Sequence, residues 1–179
     1  MISDEELYEQ LLGGKMPAFD ELYLRYERRL FGFILVQLGD SAEAEDVFHD
    51  AFLAVLREPR QKEMRNFRAW IFQVARHLCL NRMRSQKRAA HALAKQEQGP
   101  DVGIVHPESL AVAKEAPEAL RRAVSTLPAA LAQLYELRAS GHSYEQMAHI
   151  LGVPLGTVKS RMHEMVARLK KETLPWTAR

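Results

Sequence analysis

Apolar residues recur every three or four positions along most of the chain, which is the spacing that places side chains on one face of an α-helix. The pattern begins at Leu7 and stops at Gly13-Gly14, then resumes at Phe19 and ends near Gly39. No stretch alternates with period two for long, and β-branched residues are sparse. The pattern predicts an all-α protein.

The first half of the chain continues in the same way. Ser41 is a suitable N-cap for a third helix, whose apolar face runs through Leu56 and which ends at Pro59, because proline disrupts a helix. After a polar stretch, an apolar face restarts at Phe67 and continues to Lys87. Residues 1–88 are therefore predicted to form an N-terminal helical bundle.

Residues 89–116 differ in composition from what precedes them. They are rich in Ala and Gln and then contain Gly99-Pro100 and His106-Pro107, which favours a linker with a helical turn at either side. Residues 117–179 return to helical spacing. The sequence thus predicts two small helical domains joined by a linker.

A helix-turn-helix is predicted inside the second domain. Ser143 and Gln146 form a capping box, and Gly152 stands where a tight turn needs a positive φ. The next helix exposes hydroxyl and cationic side chains in its first turns, which suit base edges and phosphates in a major groove. A solvated surface helix is the alternative, and the agreement of cap and turn favours DNA binding.

Charge is distributed unevenly along the chain, although the net charge is only +2. Counted as Lys and Arg minus Asp and Glu, the net charge is −8 over residues 1–56, +8 over 57–88, −3 over 89–119 and +5 over 120–179. Two basic blocks indicate two contacts with a polyanion, and the acidic front indicates a different partner. In the first basic block, arginines beside Phe67 and Trp70 suit single-stranded DNA, although core packing is the more frequent role of such a Trp.

Other functions are disfavoured by what the sequence contains. Cys79 is the single cysteine, which excludes an internal disulfide, and it is predicted to be a buried small hydrophobe. The seven histidines are scattered, so no metal or other cofactor is predicted, and neither a phosphate-binding loop nor a nucleophile elbow indicates an enzyme. The longest apolar runs are too short for a bilayer and the N-terminus is acidic, so we expect no membrane insertion and a cytoplasmic location.

Four stretches in this order resemble the extracytoplasmic function (group IV) sigma factors of bacterial RNA polymerase. The resemblance covers almost everything except the linker and the chain ends. The stretches are Phe19–Tyr23, Ala44–Leu53, Phe67–Arg76, and Leu127-Pro128 together with Tyr144–Ala148 and Gly156–Arg161.

The resemblance implies roles for three groups of residues. Polymerase binding would fall to Glu45, Asp46, His49 and Asp50. Recognition and melting of the −10 element would fall to Arg57, Arg60, Arg65, Asn66, Arg68, Trp70, Arg76 and Arg84, and −35 recognition to Thr157, Lys159, Ser160, Arg161, His163 and Glu164. His49 and Glu164 depart from the residues that the family usually has there, Gln and a basic residue.

The implied function is to direct core polymerase to specific promoters and to melt the −10 element, under the control of an anti-sigma factor. The implied partners are promoter DNA, the anti-sigma factor and core RNA polymerase, contacted at its β′ clamp coiled coil and β flap. A stand-alone transcriptional regulator with a sensing or dimerising bundle is the main alternative. Such a regulator would need neither the basic block of residues 57–88, with its aromatic residues, nor the acidic helix that precedes this block.

Overall fold

The computed structural model describes residues 2–57, 64–93 and 118–173, and these residues form eight α-helices and no strands. Most of the predicted linker lies outside the described residues. None of the described helices is both long enough and apolar enough to cross a membrane. The helices are α1 Asp4–Leu12, α2 Met16–Leu38, α3 Ser41–Arg57, α4 Phe67–Leu93, α5 Glu118–Ser125, α6 Ala129–Ala139, α7 Tyr144–Leu151 and α8 Leu155–Thr173.

Several predicted helix ends are confirmed, because local side chains or glycines define them. Helix α1 is followed by Gly13, and α2 by Gly39, which has a φ of 73°. Ser143 and Gln146 form both hydrogen bonds of the predicted capping box at the start of α7. Gly152 ends α7 with a φ of 63°, the left-handed conformation that favours glycine.

One predicted cap is wrong. The cap of α3 is Asp40 rather than Ser41, since the Asp40 carboxylate accepts the backbone N–H of Glu43 at 2.9 Å. Helix α4 continues to Leu93, so the start of the predicted linker, where a helical turn was expected, is helical over residues 89–93. Three alanines in that segment have the highest helix propensity and extend the helix.

Helices α1 to α4 form an N-terminal bundle around an aromatic-rich core. Leu22, Leu30, Phe33 and Phe72 are completely buried, and their helices α2 and α4 pack together. Close to this core, α2 and α3 meet through a cluster of four rings, Phe19, Tyr23, Phe48 and Phe52. The burial of these rings fixes which face of α3 remains at the surface.

Helices α5 to α8 form the C-terminal domain, in which α8 packs against α5, α6 and α7. Leu134, Met147 and Val158 are completely buried at its centre, and Met162 and Met165 are nearly so. The domain also packs against the N-terminal bundle, through α6 on α2 and α7 on α4. The sequence pattern did not predict this packing of one domain on the other.

Candidate polymerase and nucleic-acid interfaces

Four polar residues form an exposed strip along α3. Glu45, Asp46, His49 and Asp50 recur at intervals of one and four positions, so they share one helix face. All four are exposed, because the opposite face carries Ala44, Val47, Phe48 and Ala51 into the core. The structure thus brings the predicted polymerase-binding residues together in what we call the acidic strip.

Two leucines extend the acidic strip toward the C-terminal end of α3. Leu53 is 39% exposed and Leu56 is 47% exposed. Val55 and Leu56 were both predicted to belong to the buried face; Val55 is buried, whereas the prediction for Leu56 is wrong, because adjacent residues of a helix point about 100° apart. Leu53 and Leu56 follow His49 by four and seven positions, so they lie on the same face of α3 as the acidic strip, and nothing in the spacing distinguished them from core residues.

One member of the acidic strip already has a partner within the bundle. Arg82 of α4 contacts Asp46 at 2.9 Å and Glu43 at 2.5 Å. The Asp46 side chain nevertheless remains 69% exposed, so it stays accessible to another molecule.

The beginning of α4 is held by α1 and by its own cap. The Asn66 amide oxygen accepts the backbone N–H of Ala69, and Glu5 of α1 accepts that of Phe67. Trp70 is half-buried and packs its ring against Tyr8 and Phe67, with centroids 5.9 and 5.7 Å apart. In this structure Trp70 therefore packs as a core residue, and its ring is not fully exposed for a base to stack on.

The arginines of the basic block separate into two groups. Arg57, Arg65 and Arg84, the exposed arginines, are at the surface of the bundle. Arg68 and Arg76, the interdomain arginines, are half-buried at the contact with the C-terminal domain. Arg60 lies outside the described residues.

Arg76 and Arg68 make specific contacts across the two domains. An Nη of Arg76 donates to the carbonyl oxygen of Leu151 at 2.8 Å, and burial lowers the pKa of this guanidinium. The Arg68 guanidinium lies against Gly141, where a Cβ would be only 2.8 Å from Nη1. A Cβ at position 141 would have to displace the flexible end of Arg68, and the φ of 85° at this position itself favours glycine.

Helix α8 presents its polar residues on one face. Lys159, Ser160, His163 and Glu164 are exposed, whereas Thr157 and Arg161 are half-buried. The Ser160 hydroxyl donates to the backbone carbonyl of Thr157 at 3.0 Å. We call these six residues the recognition face, which the structure brings together as the sequence predicted.

Glu164 forms an ion pair with Arg168 one turn later, at 3.0 Å. Both side chains are about half exposed. The carboxylate is therefore partly neutralised by a neighbour that the sequence analysis did not consider, and the repulsion it exerts on phosphate is reduced.

Sequence reasoning missed the buried polar groups at the end of α6. Glu136, Ser140 and His142 are all buried, and the Glu136 carboxyl group and the Ser140 hydroxyl lack a hydrogen-bond partner among the described residues. Cys79, by contrast, is completely buried as predicted, and burial raises the pKa of its thiol to about 12. The described residues contain no group of three or more His, Cys, Asp or Glu that could hold a metal ion.

Comparison with known proteins gives consistent results for both domains. The family model of Sigma-70 region 2 matches residues 22–89, and that of Sigma-70 region 4 matches residues 117–169. The ECF RNA polymerase sigma factor SigM of Mycobacterium tuberculosis is 32% identical over 176 residues, covering 94% of this chain and 84% of that protein. The RNA polymerase sigma-H factor of Pseudomonas aeruginosa is 26% identical over 196 residues, covering 96% of this chain and 94% of that protein.

A solved structure has a similar fold. It is the sigma factor RpoE of Bartonella quintana in complex with the anti-sigma factor NepR, with a TM-score of 0.61 and 26% identity. The match covers 88% of this chain and 96% of that one. A helical bundle with an acidic strip, followed by a helix-turn-helix domain, is the arrangement of a transcription initiation factor, and the chain belongs to the extracytoplasmic function sigma factors of the sigma-70 family.

Proposed function

We propose that the acidic strip is the surface with which this sigma factor docks on core RNA polymerase, at a basic coiled coil of the β′ clamp. The observation that carries the proposal is that four polar residues and two leucines stay exposed on α3 while its other face is buried. Opposite charge steers such a docking event, and the leucines add apolar area at its end. The β flap is the second polymerase contact that the family resemblance implies.

We further propose that the two domains divide promoter recognition between them. Residues 1–88 would act on the −10 element through the exposed arginines and the interdomain arginines, and residues 117–179 would read the −35 element through the recognition face. Support comes from the positive charge of residues 57–88 and from the exposed cationic start of α8. Residues 89–116 would act as the connection between the two.

This activity takes place in the cytoplasm, and its regulator is an anti-sigma factor. The support for a regulator is the structural neighbour, which was solved as a complex with an anti-sigma factor. The regulator is thus assigned by class, as an anti-sigma protein, and co-purification of the chain with a candidate anti-sigma protein tests the assignment.

Charge reversal on α3 tests the docking proposal. The Glu45→Lys/Asp50→Lys double variant is expected to bind core polymerase about tenfold more weakly or worse, because two attractive charges become repulsive. These two positions are chosen because neither is in the ion pair that Asp46 makes with Arg82. Binding is measured by fluorescence anisotropy of labelled protein titrated with core enzyme, and raised salt should weaken the wild-type complex.

A matched control separates a local effect from a general change in charge. The Glu9→Lys/Asp20→Lys variant makes the same change in net charge at two exposed positions outside α3. It should bind core polymerase as the wild type does. Equal weakening in both double variants, or none in either, would contradict the assignment of the acidic strip.

A further inference from the structure

Helix α1 packs against both α2 and α4, and its first turn is fixed to α2 by polar contacts. The Asp4 carboxylate forms an ion pair with Arg25 at 2.7 Å and accepts the hydroxyl of Tyr26. The Arg25 guanidinium also donates to the backbone carbonyl oxygen of Ile2 at 2.9 Å. These bonds hold the start of α1 at a defined place on α2.

The next residues of α1 contact the start of α4. The Glu5 carboxylate accepts the backbone N–H of Phe67 at 3.0 Å, across 62 positions of sequence. Tyr8 is 1% exposed and packs its ring against Phe67 and Trp70, with centroids 5.6 and 5.9 Å apart. Helix α1 therefore connects the middle of α2 to the first turn of α4.

The bond from Phe67 to Glu5 supplies an acceptor that the start of a helix needs. Phe67 is the first residue of α4, so its N–H is one of the four that find no acceptor within the helix. Asn66 satisfies another of them, that of Ala69. A carboxylate here is also favoured by the partial positive charge of a helix N-terminus. Part of the cap of α4 thus comes from a distant helix, so the place where α4 begins depends on α1.

The same carboxylate lies beside residues that the proposed function assigns to the −10 element. Glu5, Asn66 and Arg68 line one open cleft of about 460 Å³. The Phe67 N–H belongs to the peptide group that joins Asn66 to Phe67, and Arg68 follows directly, so fixing this N–H fixes the backbone from which both side chains project. The charge of Glu5 would by itself repel phosphate. Its position and its charge therefore have opposite effects on DNA binding.

We propose that Glu5 is a positioning residue for the −10 surface: it holds the first turn of α4 against α1 and so sets the place from which Asn66 and Arg68 meet the displaced strand. The inference rests on the proposed −10 role of these two residues. Glu5 acts through the backbone of Phe67 and does not itself contact DNA.

Two substitutions of similar size separate the position of Glu5 from its charge. Glu5→Gln and Glu5→Met both remove the negative charge, but only glutamine keeps a side-chain oxygen that can accept the Phe67 N–H. Glu9→Gln and Glu9→Met make the same pair of changes at an exposed position of the same helix. If circular dichroism shows that Glu5→Met is unfolded, Glu5→Ala replaces it in the comparison.

Three measurements are made on each full-length variant. Hydrogen exchange followed by NMR reports the protection of the Phe67 amide, and fluorescence anisotropy reports the affinity for core polymerase. The rate of promoter opening is measured with saturating holoenzyme, from the fluorescence of 2-aminopurine placed in the −10 element. The promoter is one that the wild-type holoenzyme selects from a library randomised at both elements.

Glu5→Met is expected to exchange the Phe67 amide about tenfold faster than wild type, because this N–H loses its acceptor. Promoter opening should slow about fivefold, since the groups that capture the displaced strand are misplaced. Its affinity for core polymerase should stay at the wild-type value, whereas a merely structural role of Glu5 would lower that affinity as well. Glu5→Gln and both Glu9 variants should open the promoter at least as fast as wild type.

Three results would overturn the positioning role. Equal opening rates in Glu5→Met and Glu5→Gln would do so, because charge alone would then explain any common change. Unchanged exchange of the Phe67 amide in Glu5→Met would show that the bond to Glu5 does not hold the start of α4. A loss of core affinity as large as the loss in opening rate would show that the whole bundle has loosened.

Arg68→Ala distinguishes failure of this role from failure of the proposed function. If Arg68→Ala and Glu5→Met both open the promoter at the wild-type rate, the −10 role of this surface is wrong and the positioning role falls with it. If Arg68→Ala is slow and Glu5→Met is not, the −10 surface stands and positioning by Glu5 alone is overturned.

Discussion

Glu136 and His142 are ionisable groups that the fold buries near each other in sequence, and burial shifts their pKa values in opposite directions. Burial raises the pKa of Glu136 to about 8. Burial, together with the positive charge of Arg68, lowers the pKa of His142 to about 4, and Gln146 opposes this. Each shift favours the neutral form, because the charged form loses its hydration.

The two shifts have opposite consequences for stability against pH. A raised carboxyl pKa means that the folded chain holds this proton more tightly, so stability is lost as pH rises from the ordinary value of about 4.5 through about 8. A lowered imidazole pKa means that stability is lost as pH falls from about 6.5 toward 4. Between about pH 4.5 and 6.5 the two contributions oppose each other, whereas above pH 6.5 only that of Glu136 changes.

We predict that wild type is less stable at pH 8 than at pH 6.5, by roughly 1.4 kcal/mol for each pH unit. Glu136→Gln should remove most of this difference and should be more stable than wild type at pH 8. Urea unfolding followed by circular dichroism at the two pH values measures the effect. Glu172→Gln, at an exposed position, is the control and should show the same difference in stability between the two pH values as wild type. If Glu136→Gln also keeps that difference, Glu136 is not the group responsible for it.

Sequence reasoning at this scale succeeded where a residue acts locally. Ser143, Gly152 and Cys79 have the environments predicted for them, because caps, turns and apolar helix faces depend on near neighbours. It missed the burial of Glu136 and of His142, whose ring packs against Phe72 of the other domain. A polar residue among apolar neighbours gives no indication of which distant element will cover it.

At the scale of helices, α4 serves both the core and the proposed −10 surface. Its first turn is capped by Asn66 and Glu5, and its aromatic residues support the bundle. Substituting Asn66 would therefore change the helix start as well as any DNA contact. The exposed arginines offer a cleaner test, because they project from the bundle surface.

Arg65→Ala/Arg84→Ala is expected to reduce open-complex formation on a duplex promoter by about tenfold, because contacts to the displaced strand are lost. A template premelted over the −10 element should partly restore activity, since unstacking is then already complete. Permanganate footprinting and single-round transcription on both templates measure this. Arg122→Ala, in the C-terminal domain, is the control for the comparison of the duplex and premelted templates. An equal loss of activity on both templates in Arg65→Ala/Arg84→Ala would show that these arginines do not act in melting.

Helix α8 separates residues expected to read bases from residues expected to bind phosphates. Lys159→Ala and Arg161→Ala should weaken −35 binding for all sequences and reduce the salt dependence by about one unit each. Ser160→Ala and His163→Ala should instead alter the preferred −35 sequence, with a change of about 1–3 kcal/mol for a direct contact. Selection from a randomised −35 library in complex with core enzyme distinguishes the two classes.

The control for this selection lies further along the same helix. Lys171→Ala removes an exposed cation at the end of α8 and should leave both the preferred sequence and the local salt dependence nearly unchanged. If every variant of the recognition face keeps the wild-type sequence preference, this helix does not read bases.

At the scale of the whole molecule, the sequence predicted the all-α class, the two domains and their order. It did not predict that α6 and α7 pack on α2 and α4, because the contact is made by a few residues from each domain rather than by a periodic pattern. The change in composition after residue 88 indicated a domain boundary, but the position of a boundary does not show whether the two domains pack against each other. The packing of the domains on each other is thus a tertiary property, to which His142, Arg68 and Arg76 contribute contacts.

The burial of Cys79 makes the natural chain suitable for chemical labelling. A thiol that is fully enclosed, with its pKa raised to about 12, has almost no thiolate to react with a maleimide at neutral pH. A dye can therefore be attached to a cysteine introduced at the surface without first replacing the native one. The same thiol becomes reactive only when α4 separates from the helices packed against it, so its rate of modification measures how often the helical core opens.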